Sequence, residues 1–260
     1  LFLQLISLSI LVSNNNFHQN KFLKSSGNIT GYVLEKKNNI EQYFLLKKIN
    51  EDLIKENEYL KNKLIENYYP EDTSLVPIYD TLKKQQYYYI AAKVISNTVN
   101  TQDNYLTLNK GSIAGIKPDM GIIWNEAIVG FIKDVSEHYS TAISVLNKNF
   151  VLSVKLKSTN DHGLIKWEGK DKTIVSLTGI TADVPVKVGD TVITRGASAR
   201  FPEGKLVGIV SEIKQNPGSM YHIINVKLFT NFSSVYNVYV IDNRYAEEQL
   251  KLEEKLNSPE

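Results

Sequence analysis

Three side chains in the sequence are of the types that nucleophilic acyl transfer needs: Ser198 as nucleophile, His138 as base and Asp190 to orient the base. Paired β-barrels can host that trio. Nothing in the local sequence selects these three over the chain's other Ser, His and Asp residues, and the phrase GASAR around Ser198 is no nucleophile signature. Ser198 therefore reads as a polar loop residue. Metal chemistry has no better basis. The four histidines, His18, His138, His162 and His222, form no His-x-x-x-His pair and no cluster with Asp or Glu at ligand spacing. The chain has no cysteine, which removes thiolate metal sites, thiol nucleophiles and disulfides together. Glu247–Glu248 and Glu253–Glu254 lie in a charged tail and read as solvated charge, not as an acid/base pair. No glycine cluster sits between a strand and a helix in the way that cradles phosphate, so no cofactor is expected. A net charge of +2 and the lack of a basic stripe among the aromatics give no nucleic-acid surface; Tyr87, Tyr88 and Tyr89 alternate across a strand. The residues point to a protein that is not an enzyme.

The clearest spacing lies in Tyr43–Leu64, YFLLKKINEDLIKENEYLKNKL. Leu46, Leu53 and Leu60 recur every seven residues, and Tyr43, Asn50, Asn57 and Leu64 occupy the companion seam. With Leu at d, the a positions read Tyr, Asn, Asn, Leu. Leu at d favours a two-stranded parallel coil, while Asn at a lowers stability but fixes register, because each amide is satisfied by its twin. Ile49 at g and Ile54 at e widen the seam, and Glu56 at g faces Lys61 at e of the partner helix. The alternative is an amphipathic helix packed on its own domain with both Asn exposed; the heptads favour a homodimer.

The chain opens on LFLQLISLSILV, which as a helix rises about 18 Å against the ~30 Å of a bilayer core. Because the first residue is Leu, residues 1–13 are read as the outer half of a truncated transmembrane anchor. A secretory signal would need a small-residue cleavage site, which SNNNFHQNKF does not supply. A spacer (14–29) leads into a helix over 30–67, roughly 57 Å long. Pro70 stops it, and Pro77 with Lys83–Gln86 marks a linker over 68–86. From Tyr87 the period becomes two: β-branched and aromatic runs alternate with Gly, Asn, Asp and Pro turns every eight to twelve residues. About a dozen such strands suit two six-stranded β-barrels, over 87–146 and 147–242. The last strands either close the second barrel or return to the first. A charged tail (243–260) is helix-prone around Ala246–Leu256.

An internal repeat supports two units. IKPDMGII (Ile116–Ile123) matches VKVGDTVI (Val186–Ile193), and IVGFIKDV (Ile128–Val135) matches LVGIVSEI (Leu206–Ile213) in the same order. The second copy carries a longer connection, RGASARFPEG (Arg195–Gly204). Gly111, Gly115, Gly121, Gly130, Gly189, Gly196, Gly204 and Gly208, with Asp190, Phe201 and Pro202, are read as fold-defining turn and bend residues.

The stretches LTLNKGSIAGIKPDMGII (Leu106–Ile123), IVGFIKDV and VKVGDTVITRGASARFPEGKLVGIV (Val186–Val210) resemble the rod shape-determining MreC family. YFLLKKINEDLIKENEYL resembles that family's membrane-proximal coil. The resemblance implies a mainly β protein: an N-terminal membrane anchor, a long coiled-coil helix and two six-stranded barrels, set like a chymotrypsin-type protease without its triad. It implies a single-pass inner-membrane protein with its bulk in the periplasm. It also implies a dimeric scaffold linking MreD and MreB to a RodA-type polymerase and its class B penicillin-binding transpeptidase. A periplasmic adaptor of a transport complex also joins an anchor, coils and β-domains. Adaptors, however, usually insert a helical hairpin within a β-domain, whereas here one helix precedes every strand.

Overall fold

The computed structural model describes residues 2–4, 7, 45–64, 85–214 and 219–257. The chain divides into two compact units, Leu1–Glu56 and Asn57–Glu260. Residues 45–62 are helical and are called α1. The expected anchor lies mostly outside the described residues, as do the spacer, Tyr43, the start of the expected helix and most of the linker. No helix among the described residues is long and apolar enough to cross a membrane.

The second unit is mainly β, and each expected strand is present: β1 (Tyr87–Asn97), β2 (Asp103–Leu108), β3 (Gly121–Trp124), β4 (Ala127–Val135), β5 (Ser140–Asn147), β6 (Val151–Leu156), β7 (His162–Lys166), β8 (Ile174–Thr178), β9 (Thr191–Thr194), β10 (Leu206–Lys214), β11 (Ile223–Leu228) and β12 (Asn237–Asn243). A helix, α2 (Ala246–Asn257), follows. Alternation does the work locally. In β2, Asn104, Leu106 and Leu108 are buried while the residues between them are not; β6 buries Leu152, Val154 and Leu156 in the same rhythm.

Six strands form a closed barrel through the pairings β1–β2, β2–β5, β5–β4, β4–β3, β3–β12 and β12–β1. The other six pair as β6–β7, β7–β8, β8–β11, β11–β10, β10–β9 and β9–β6. The two final strands therefore part company: β11 stays with β8 and β10, and β12 goes back to β1 and β3. One buried apolar cluster draws on both sets, including Leu106, Ile122 and Val240 from the first and Val154, Leu177 and Val226 from the second.

The sequence repeat is visible bond by bond. Asp119 N–H donates to the Ile132 carbonyl and Ile132 N–H to the Met120 carbonyl; Gly189 N–H donates to the Val210 carbonyl and Val210 N–H to the Asp190 carbonyl. These are the residues that the two sequence phrases align. Asp119 and Gly189 share a left-handed backbone, with φ of 67° and 98°. Both β4 and β10 are irregular just after these bonds, between Ile132 and Asp134 and between Val210 and Glu212. The pairing order of β6–β11 thus matches β12 followed by β1–β5, so the last strand takes the place that β6 holds in the other set.

Candidate functional site: a clasp between two sets of strands

The connection between β9 and β10, Arg195–Gly204, is fixed at its base by one threonine. Thr194 Oγ1 donates to the Pro202 carbonyl (2.6 Å) and accepts from Lys205 N–H (2.9 Å), so the loop closes on itself. Gly196 and Gly204 take left-handed φ values at its two ends. The body of the loop reaches the first barrel. Phe201 is 1% exposed, and its ring lies over Gly121 so closely that a Cβ there would come within 2.8 Å of it. Asn243 of β12 donates to the Ala199 carbonyl (3.1 Å). Arg200 grips Asp119 through Nε (3.1 Å) and Nη2 (2.7 Å) and stacks on Phe131, with its guanidinium 3.9 Å from the ring centre. Both donors converge on Asp119 Oδ1, and planar stacking combined with two N–H groups on one carboxylate oxygen is a role that suits arginine and not lysine.

Two further ties join the sets. Leu206 of β10 lies parallel to Ala127 of β4, and Leu206 N–H donates to the Glu126 carbonyl (2.9 Å). The buried Thr230 hydroxyl donates to the Ile128 carbonyl (2.7 Å). Thr230→Val keeps the shape and removes this donor, so it should lower stability by about 1–3 kcal/mol. Urea unfolding of the two proteins measures it.

The β3–β4 turn carries the charge at this seam. Asn125 and Glu126 both have positive φ, 47° and 64°, as the central residues of a primed hairpin turn. Glycine would fit the second position with less strain; here Glu126 places its carboxylate on the Nζ of the buried Lys205 (2.7 Å) and on Lys61. Lys61 and Lys205 also lie over the Tyr89 ring. Next to Lys61, Asn62 completes the edge of β1 that β2 and β12 leave open. Its Nδ2 donates to the Tyr89 carbonyl (3.1 Å) and its Oδ1 accepts from Tyr89 N–H (2.7 Å). Glu58 accepts from Ala91 N–H (3.0 Å) one pleat on. Asn62→Ala strips two main-chain partners from a half-buried edge and should cost about 1–3 kcal/mol, again read from urea unfolding.

A cleft of about 680 Å³ opens beside the clasp, walled by Asp119, Met120 and Ser198–Arg200 and by α2. At its rim Lys117 donates to Glu247 (2.8 Å). Their hydrogen bond and opposite charges raise the lysine's pKa and lower the glutamate's. Burial pushes the Asp242 carboxyl above the usual carboxylate range, against the pull of Lys117 and Arg244.

The sequence-derived candidates take the following places. Ser198 lies on the cleft, Asp190 holds Lys187 N–H (2.9 Å) in the turn before β9, and His138 lies in the β4–β5 turn of the other set. No described hydrogen bond joins the three, and no group of three His, Cys, Asp or Glu among the described residues could hold a metal ion. Gly111 and Gly115 bracket a 3-10 turn at Ser112–Ala114, and Gly130 and Gly208 pair across to β5 and β11. On α1, Leu46, Ile49, Leu53 and Leu60 are exposed, as are Asn50, Asn57 and Glu56, and so is Leu64 just past its end; Ile54 is half-buried. Lys61, expected to meet Glu56 of a partner helix, is held by Glu126 of its own chain. The sequence reading passed over Asn62, Glu126, Lys205 and Thr230. Of these only Glu126 left a signal, as a non-glycine residue after Asn between two apolar runs.

A closed six-stranded β-barrel clasped to a second set of strands defines the class: a mainly β protein built on a barrel core. Residues 94–242 match the family model of the rod shape-determining protein MreC, barrel core, and the chain belongs to that family. It is 24% identical over 175 residues to the cell shape-determining protein MreC of Escherichia coli, covering 67% of this chain and 47% of that protein. The chain thus spans about half the length of that relative. The solved structure of MreC from Listeria monocytogenes shares the fold at 23% identity, with a TM-score of 0.57 over 80% of this chain and 93% of that one. A complex between the penicillin-binding protein PBP2 and MreC from Helicobacter pylori contains a chain that is 18% identical, with a TM-score of 0.50 over 61% of this chain and 99% of that one.

Proposed function

We propose that this chain is a dimeric, membrane-tethered scaffold of the cell-wall elongation machinery, with a head of two closed barrels facing the periplasm. The observation that carries the reading is the exposed heptad stripe of α1, in a chain whose later residues have the MreC barrel fold. Leu46, Leu53 and Leu60 at d would seat against their twins, and Asn50 and Asn57 at a would set strand number and register. A parallel pair suits two anchors that leave one membrane, with residues 1–13 supplying part of each. In this reading the two sets of strands offer their surfaces to a class B penicillin-binding transpeptidase and its RodA-type polymerase. The Helicobacter pylori complex with PBP2 supports that choice of partner. Family resemblance adds MreD and MreB. The action is geometric: a scaffold activates a synthase only by binding its active conformation more tightly than its inactive one. Glycan polymerisation by a purified polymerase–transpeptidase pair tests this. The rate should rise when the folded dimer is added; a dimer that neither binds the pair nor changes its rate overturns the reading.

A further inference from the structure

The C-terminal helix α2 lies beyond the residues that match the family model, and one of its faces lines the cleft beside the clasp. Ala246, Glu247, Leu250 and Glu253 recur at the spacing of a single helical face, and all four wall that cleft. What holds the face there is slight. Leu250 remains 38% exposed, and the ion pair between Lys117 and Glu247 joins two side chains that are 63% and 69% exposed. Ion pairs that exposed are weak and screened by salt. Under the helix an open volume of about 680 Å³ remains, floored in part by Met120 and Ile241. A helix held, among the described residues, by an exposed ion pair over an unfilled, partly apolar cleft can be exchanged for another of the same kind.

We propose that α2 is a displaceable strap, and that the cleft receives in its place an acidic amphipathic helix of a partner protein. The strap itself specifies the chemistry of its replacement: a carboxylate for Lys117, with an apolar side chain three positions later where Leu250 stands. Charge complementarity favours this occupant, because the carboxylate that hydrogen-bonds the rim lysine comes from the first turn of α2, with Asp242 adding negative charge nearby. The intramolecular helix competes at the high effective concentration that a short tether gives, so the cleft opens only to a ligand that matches it better or is itself presented locally. The inference concerns this cleft alone and does not depend on which synthase the head serves.

The probe is a fluorescein-labelled synthetic peptide of residues 244–259, added to the full chain and followed by anisotropy. The wild-type chain, with its own strap in place, should bind it weakly. Glu247→Lys in the full chain should release the strap and bind the peptide at least tenfold more tightly, and Leu250→Asp should do the same by a second route. A peptide carrying Glu247→Lys should bind neither variant. Amide exchange over residues 246–257 should speed up in both variants while β1–β12 stay protected, which separates release from unfolding. Equal binding by wild type and variants, or no binding by any of them, overturns the proposal.

Discussion

Replacing Gly130 or Gly208 by alanine should lower stability by about 3 kcal/mol or more, a large effect for one methyl group. Both glycines are buried at the repeat's equivalent position, where β4 and β10 cross close to a neighbouring strand. A Cβ at Gly130 would overlap the Ile143 carbonyl oxygen, and one at Gly208 would overlap that of Lys227. The obstructing atoms are main chain and cannot rotate away, so relief requires the partner strand to shift inside a packed interior. Gly189 is the control. It has φ of 98° but nothing within 4 Å of an added Cβ, and its repeat counterpart, Asp119, is already a non-glycine residue with φ of 67°. Gly189→Asn should therefore stay within about 1 kcal/mol of wild type, since Asn tolerates the left-handed region well. Urea midpoints of the three proteins decide it. Similar losses at all three positions would show that backbone freedom, and not space, is what these glycines provide.

Leu53→Asp should convert the proposed dimer to monomers. In the proposed coil Leu53 occupies the central d position, so the substitution places two carboxylates opposite each other in an apolar seam, at a cost of several kcal/mol. An association that rests on roughly three heptads has little to set against that. Leu53 is 51% exposed within one chain, so the barrel strands should unfold at the wild-type temperature while the sedimentation mass halves. A dimer of unchanged mass would put the interface somewhere other than the heptad stripe.

Much of the fold was legible because it is written at short range. Alternation in DNYLTL or VLSVKL says which residues turn inward, and the recurring Gly-turn-strand phrases marked the duplicated hairpins. The repeat's hydrogen bonds then fall on the very residues the phrases align. What stayed hidden depends on partners far apart in the chain. Period-two burial tells β12 which face to bury but not which neighbour to take. Arg200 stood inside the most specific phrase, yet its partner Asp119 is 81 residues away; Lys205 and Glu126 are separated by 79. Single charges at such separations carry no spacing signal. Asn62 closing a sheet edge from the end of a helix leaves no pattern, since neither the helix period nor the strand period requires it.

The return of β12 to β1 and β3 also sets a timetable for making the protein. Strands β6 to β11 all leave the ribosome in one stretch and can close among themselves, but the first barrel must wait for its final stave. Between the end of β5 at Asn147 and the start of β12 at Asn237 the delay is on the order of ten seconds at ~5–20 residues per second. Throughout that interval β1 and β3 each carry an unpaired edge, the kind of surface that recruits stray strands from neighbouring chains. The newborn chain is thus most in need of a chaperone until β12 has been made, and a premature stop anywhere before Asn237 leaves the barrel open for good.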